Sequence, residues 1–229
     1  MGVVNIIAIE TATPACAVGI RTADGVEVTR VVDDGRRHTE VLTPALKSLI
    51  NEVGLIPRDI QRVVVDRGPG LFTGLRVGIA TAIGFSQALG GGLVGVTSLE
   101  MLAGGAFDAG VRGTVVACVD GRRGEVFAQT FLLDEGIAVV DSARVTTAGE
   151  IMAVLRAEGR PAAFTGDGVE RYRSEFEGSP LAMIFDQAVP SVHAALSLGS
   201  TRDPQEVVSP LYLREADAVA NFTTRERPK

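Results

Sequence analysis

The residues of this chain that can do chemistry are few, and most of them stand beside glycine. The densest group is Gly68-Pro69-Gly70-Leu71-Phe72-Thr73-Gly74-Leu75-Arg76-Val77-Gly78, a glycine-rich turn that leads into a helix-forming run. Free N–H groups at such a turn, together with the positive end of a helix, can accept an anion. It is not a P-loop, because no Gly-Lys-Ser/Thr follows, and its glycines fall one residue too wide for the dinucleotide spacing. Structural punctuation between strand and helix is the other reading. Glu10 and Asp120 each end an apolar run just before a tight turn, where an acid can hold a metal-bound water or simply fix the turn. Hydrolase chemistry is not expected: neither His38 nor His193 sits in HExxH, no GxSxG occurs, and neither Cys16 nor Cys118 has a histidine nearby. His38 follows Arg36-Arg37 at the start of a predicted helix, a place for an anion, a partner or a solvated polar cap. Arg122-Arg123 reads as a hairpin tip.

These residues need elements to hold them. Residues 3–10, 15–21 and 26–32 are β-branched or alternating runs and predict three successive antiparallel strands. Residues 39–53 carry apolar side chains at i, i+3 and i+4 and predict an amphipathic helix. A strand at 62–66 then runs into the glycine turn, followed by a helix at 73–89. The order recurs about 110 residues later, as an internal duplication would produce. Strands are expected at 114–120, 125–132 and, more weakly, 137–145, then a helix at 147–158 capped by Thr147, a strand at 162–165, the loop Gly166-Asp167-Gly168 and a helix at 169–176. His193 starts a last helix. Two such lobes, each with an acid at its first hairpin, are the plan of the α/β actin-like ATPase superfold shared by sugar kinases and heat-shock ATPases. The expected division is a first lobe at 1–104 and a second at 105–229, with the tail after about 215 returning to the first lobe.

Composition sets the outer limits. The chain has 229 residues, 46% hydrophobic and 22% charged, with mean hydropathy +0.25, which excludes a disordered chain. A net charge of −6 argues against stand-alone nucleic-acid binding. The two cysteines lie in apolar runs without CxxC spacing, as suits buried thiols in a reducing compartment. No basic segment precedes the first apolar run, so no signal peptide is expected. The uncharged residues before 99 are interrupted by Gly90-Gly91-Gly92, and read as helix, break and strand in a cytoplasmic protein rather than a membrane span.

The glycine-rich segment, with Ile9-Glu10-Thr11-Ala12-Thr13, Arg37-His38-Thr39-Glu40, Val94-Gly95-Val96-Thr97-Ser98-Leu99-Glu100, Asp120-Gly121-Arg122-Arg123-Gly124-Glu125-Val126-Phe127 and Pro210-Leu211-Tyr212-Leu213-Arg214, resembles the TsaB (YeaZ) family across nearly the whole chain. The resemblance implies a non-catalytic subunit that assists its relative TsaD, together with the ATPase TsaE, in transferring a threonylcarbamoyl group to the adenosine beside the anticodon of tRNAs reading codons that begin with A. It implies tRNA contact through the complex only, no membrane, and no tightly bound cofactor, with ATP or ADP and magnesium held in the complex. Residues that would meet a nucleotide are Glu10, Thr11, Thr13, Gly68, Gly70, Thr73 and Gly74.

Many relatives have Asp at the place of Glu10 and Ser at the place of Leu71. Where TsaD carries two metal-binding histidines four residues apart, this chain has Ser98 and Leu102, and a leucine cannot ligate a cation. The turn 68–74 is accordingly expected to serve mainly close helix packing, so that Gly70→Val should lower stability, by about 1–3 kcal/mol if φ > 0 is required there. For the partner surface, the two predicted helices form one face, with His38, Val41, Leu42, Ala45, Leu46, Leu49, Leu75, Gly78, Ile79, Ala82 and Phe85 as interface. Gly74, Gly78 and Ala82 make a small-residue stripe, with Gly84 and Ala88 on an adjacent line. This face would dock on TsaD as a four-helix bundle and form a homodimer when TsaD is absent. The competing readings are an actin-like nucleotide hydrolase or kinase acting independently of tRNA, and a self-associating interaction module.

Overall fold

A computed structural model describes residues 4–214; the tail after about 215 lies outside the described residues. The chain opens with the β-branched runs expected to pair. β1 (Ile6–Glu10) is buried along its whole length, and β2 (Cys16–Arg21) and β3 (Glu27–Val32) fold back beside it antiparallel. β4 (Arg62–Asp66) joins the other side of β1 in parallel, and β5 (Gly92–Val96) joins β4 in parallel. The first sheet therefore runs β3-β2-β1-β4-β5. α1 (His38–Glu52) and α2 (Phe72–Leu89) cover one face, and α2 stops at Gly90, whose φ of 65° forms a left-handed cap.

The second sheet repeats the plan. β6 (Gly113–Arg122) pairs antiparallel with β7 (Glu125–Leu133), which pairs with the short strands β8 (Ile137–Val139) and β9 (Arg144–Thr146). After α4 (Ala148–Glu158), β10 (Ala162–Thr165) lies parallel to β6; after α5 (Asp167–Arg171) and α6 (Arg173–Phe176), β11 (Ala182–Ile184) lies parallel to β10. Read outward from β6, the order and directions match those read outward from β1. The protein has the duplicated lobes and two mixed sheets of the actin-like ATPase superfold.

Several elements differ from expectation, among them β11, which was not expected. The strand expected at 137–145 is two short strands, because Asp141 turns inward and accepts hydrogen bonds from Thr130 N at 2.7 Å and Thr130 Oγ1 at 2.9 Å, interrupting the third strand. The helix expected at 169–176 is α5 and α6, and it starts earlier, with Asp167 and Gly168 inside α5. α3 (Ser98–Asp108) was not foreseen. It contributes Met101 to the core of the first sheet and Leu99, Leu102 and Ala103 to that of the second, so it joins the lobes. α7 (Val192–Thr201) packs on the back of the first sheet, where a Cβ on Gly199 would stand 2.2 Å from Val64. Residues 192–212 are thus built onto the first sheet although they follow the second.

Candidate functional site

The turn between β1 and β2 gathers six of the seven residues expected to meet a nucleotide. Thr11 Oγ1 donates to Gly74 O at 2.9 Å, and the Leu71 N–H donates to Ala12 O at 2.7 Å. A Cβ on Gly70 would stand 2.3 Å from Ala12 O, and one on Gly74 1.9 Å from Thr11 O. Both glycines are therefore required by close approach of two backbones. Gly70 has no positive φ, so close packing and not backbone handedness requires it; the left-handed residue of this turn is Gly68, at φ 100°, ahead of a cis Pro69. Thr73 is exposed and stands apart from the cluster.

Glu10 ends β1 with its side chain folded back over its own turn. One carboxyl oxygen accepts the N–H groups of Ala12 at 2.7 Å and Thr13 at 3.0 Å, and Thr13 Oγ1 lies 3.3 Å from both oxygens. Burial, and then the neighbouring Asp66 charge, push this carboxyl well above the usual range, against the pull of those hydrogen bonds. On the other side of the turn His38 Nε2 lies 3.0 Å from Thr13 O and 3.1 Å from Ala15 O. Both partners are carbonyls, so Nε2 carries the proton and donates. His38 is a clamp on the hairpin, not a group turned to a partner.

Asp66 ends β4 under the glycine turn and is fully buried. Its Oδ1 accepts the Gly68 N–H at 2.7 Å and meets Ser98 Oγ at 2.9 Å; Ser98 Oγ also stands 2.8 Å from Pro69 O. A hydroxyl has one proton and here faces two acceptors, an arrangement that a protonated Asp66 resolves by donating to Ser98. Burial raises this carboxyl to about 7, and Oδ2 is buried without a partner.

The second lobe treats its equivalent acid differently. A bulge at the end of β6 places Arg122 at φ 63° and turns it toward Asp120, which lies 3.5 Å from Arg122 Nη1 and 3.5 Å from Arg171 Nε. Asp167, raised to about 6 by burial, accepts the Asp120 N–H at 2.9 Å.

A nucleotide phosphate with magnesium is the group this superfold implies, and the first turn does not fit it. The N–H groups of residues 12 and 13 are taken by the Glu10 carboxyl, and the backbones of 11–12 and 70–74 fill the space between them. At the positions matching the histidine pair of TsaD, Ser98 is held by Asp66 and Leu102 lies in the core.

The expected interface is corrected by burial. Val41, Leu42, Ala45, Leu46 and Leu49 of α1 and Leu75, Ile79 and Ala82 of α2 are core against their own sheet, and Phe85 packs at its margin. Gly78 is buried as well, where a Cβ would stand 2.3 Å from Thr11 Oγ1. The stripe of Gly74, Gly78 and Ala82 thus lets α2 approach β1 and its turn. The outward line of α2 is Arg76, Ala80, Gly84 and Ala88, all exposed, and a Cβ on Gly84 would meet nothing within 4 Å. No helix among the described residues is long and apolar enough to cross a membrane.

Comparison with known proteins places this geometry. The family described as TsaD, tRNA N6-adenosine threonylcarbamoyltransferase, matches residues 33–173, more than half of the chain. A Mycobacterium tuberculosis protein is 34% identical over 220 residues, 93% of each chain. The tRNA threonylcarbamoyladenosine biosynthesis protein TsaB of Bacillus subtilis is 28% identical over 233 residues, 97% of this chain and 100% of that one. A crystal structure from Pseudomonas aeruginosa, described as similar to the peptidase YeaZ, superposes with a TM-score of 0.81 at 25% identity, over 92% of this chain and 100% of that one. With the shared motifs, the matching sheet order and these likenesses, the chain belongs to the TsaB (YeaZ) family, within the wider group that includes TsaD.

Proposed function

We propose that this chain works in the biosynthesis of tRNA threonylcarbamoyladenosine as a non-catalytic partner subunit that scaffolds and activates TsaD together with TsaE, in the cytoplasm. The observation that carries the reading is the self-filled turn at the end of β1, where a phosphate would need N–H groups that Glu10 already holds. Any nucleotide belongs to the assembled complex and not to this turn. tRNA, too, is met through the complex, as a net charge of −6 favours.

The docking face that suits this role is the outward line of α2, where Ala80, Gly84 and Ala88 leave the helix smooth between Arg76 and Gln87. Small residues at four-residue spacing admit a partner helix at close range, and a four-helix contact of this type buries on the order of 1,200–2,000 Å². The same face serves a homodimer when TsaD is absent. The test is to mix the purified chain with threonylcarbamoyl-adenylate and tRNA, with and without TsaD and TsaE. The expected result is modified adenosine only when TsaD is present, and modification by the chain alone overturns the reading. Tight binding of ATP–Mg²⁺ to the isolated chain would favour an independent nucleotide hydrolase or kinase instead.

A further inference from the structure

After α7 the chain does not simply end. It runs along the edge of the first sheet, where Gln205 N donates to Leu93 O at 2.7 Å and Gly95 N donates to Gln205 Oε1 at 3.2 Å. Val208 enters the α1–α2 core, so the segment is anchored by burial as well as by hydrogen bonds. It then crosses the glycine turn: Leu211 N donates to Arg67 O at 2.6 Å, and a Cβ on Gly68 would stand 3.2 Å from Leu211 O. The Tyr212 ring packs on Phe72 at 5.2 Å between centroids, and the Arg76 guanidinium lies 3.8 Å over the other ring contact, Phe72. Two residues later the chain reaches the second lobe. Arg214 forms an ion pair with Glu125 at the start of β7 and lies 6.0 Å from the Phe127 ring.

We propose that residues 203–214 are a latch between the lobes, with the buried Val208 and the Leu211–Arg67 backbone hydrogen bond as its fixed end and Arg214 on Glu125 as its catch. The lobes are otherwise joined through α3, which is packed into both cores, and through the segment after β11, where Phe185 packs on the second core, Val189 on the first, and Gln187 lies against Gly105 of α3; together these form the hinge side. The strap adds a separate tie, from a lobe-one anchor to a lobe-two strand. The catch is suited to release. Its two side chains are 27% and 40% exposed, and a solvent-accessible ion pair contributes little, whereas Val208 is buried in the core. Opening therefore frees Arg214 first and leaves Val208 in place. Because Tyr212 rests on the first turn of α2, a body that displaces Phe72 or Arg76 pulls on the strap and through it on the β6–β7 hairpin. The latch does not depend on the identity of any partner.

Hydrogen exchange on the full chain tests it, by following the Leu211 amide, the hairpin amides of residues 119–128, and β1 and β4 as internal reference. In Arg214→Ala and in Arg214→Glu, exchange at Leu211 and in the hairpin should rise by up to about fivefold, the range that loss of a partly exposed pair allows, with β1 and β4 unchanged. Combining Arg214→Glu with Glu125→Arg should restore most of the protection. Unchanged exchange at Leu211 and in the hairpin in both single variants overturns the latch. So does a rise spread equally over β1 and β4, or a charge-swapped pair that exchanges no more slowly than Arg214→Glu alone.

Discussion

Replacing Asp66 by Asn should change how stability depends on pH more than it changes stability itself. In the folded chain Asp66 is 0% exposed, and burial, with a smaller contribution from the Glu100 charge, raises its carboxyl from 3.8 to about 7 against the pull of the Gly68 and Ser98 hydrogen bonds. The unfolded chain releases this proton near the ordinary value, while the folded chain keeps it until about 7. Stability contributed by the protonated acid is thus complete below pH 4, falls as pH rises through the window between 4 and 7, and is flat above it. The full span corresponds to about 4 kcal/mol, of which about 3 kcal/mol lies above pH 5. Asn keeps an oxygen for the Gly68 N–H but places an amide nitrogen where Oδ2 now has no partner, a cost of about 1–2 kcal/mol at every pH. The two stability curves should therefore cross, with the variant more stable than the parent by about 2–3 kcal/mol at pH 8. Glu10 is raised by burial and then by the Asp66 charge, so in the variant its slope keeps the same sign but is smaller, which adds to the difference between the two profiles. Urea unfolding followed by circular dichroism from pH 5 to 8 reads it. Parallel profiles across that range would show that Asp66 is ionised in the folded chain, and the hydrogen-bond argument at Ser98 would fail.

Gly74→Ala should destabilise by about 1–3 kcal/mol, as overpacking against a backbone does, because its Cβ would stand 1.9 Å from Thr11 O; Gly84→Ala, with open space around its Cβ, should stabilise by about 0.5–1 kcal/mol through helix propensity, and thermal melts compare the two. His38→Ala removes the donor that holds Thr13 O and Ala15 O and should lower stability by about 1–3 kcal/mol in chemical unfolding. Cys16 and Cys118, with thiols pushed up to about 12 by burial, should resist alkylation at pH 8 in the folded chain and react only on unfolding. Ala80→Arg and Gly84→Arg should leave the melting temperature nearly unchanged and weaken sedimentation-detected association with TsaD about tenfold or more, as charge placed in an interface core does; unchanged affinity in both would remove this face from the complex.

The sheets were legible because β1, β4 and β6 are β-branched runs buried along most of their length, and such runs declare themselves without knowledge of their neighbours. α3 was not legible by periodicity. It is packed between two cores, so Leu99, Met101, Leu102 and Ala103 are all buried, and no polar face marks a helical period. The signal that would have found it is local: Thr97 and Glu100 form a capping box, with Thr97 Oγ1 accepting the Glu100 N–H at 3.1 Å and Glu100 accepting the Thr97 N–H at 2.9 Å. The small-residue stripe was legible as a stripe, and its direction was not. Gly74, Gly78 and Ala82 differ from Ala80, Gly84 and Ala88 by about a third of a helical turn, and only the position of the Thr11 backbone decides which line faces inward.

The same limit governs the site, and the two lobes show why. Sequence placed an acid at the end of the first strand of each repeat and left open whether it served a metal-bound water or a turn. What decides is the tertiary environment of each acid. Glu10, longer by one methylene than Asp, reaches back over its own turn to the N–H groups of residues 12 and 13; Asp120 accepts the N–H of residue 122, at 2.9 Å, and is met in addition by the side chains of Arg122, aimed by a bulge, and of Arg171 from α5. Both acids accept the N–H two residues on, and they differ in the charges that face them. In the first turn the N–H groups that could meet a phosphate are held by Glu10, whereas along the outward line of α2 Ala80 and Gly84 serve no packing of their own.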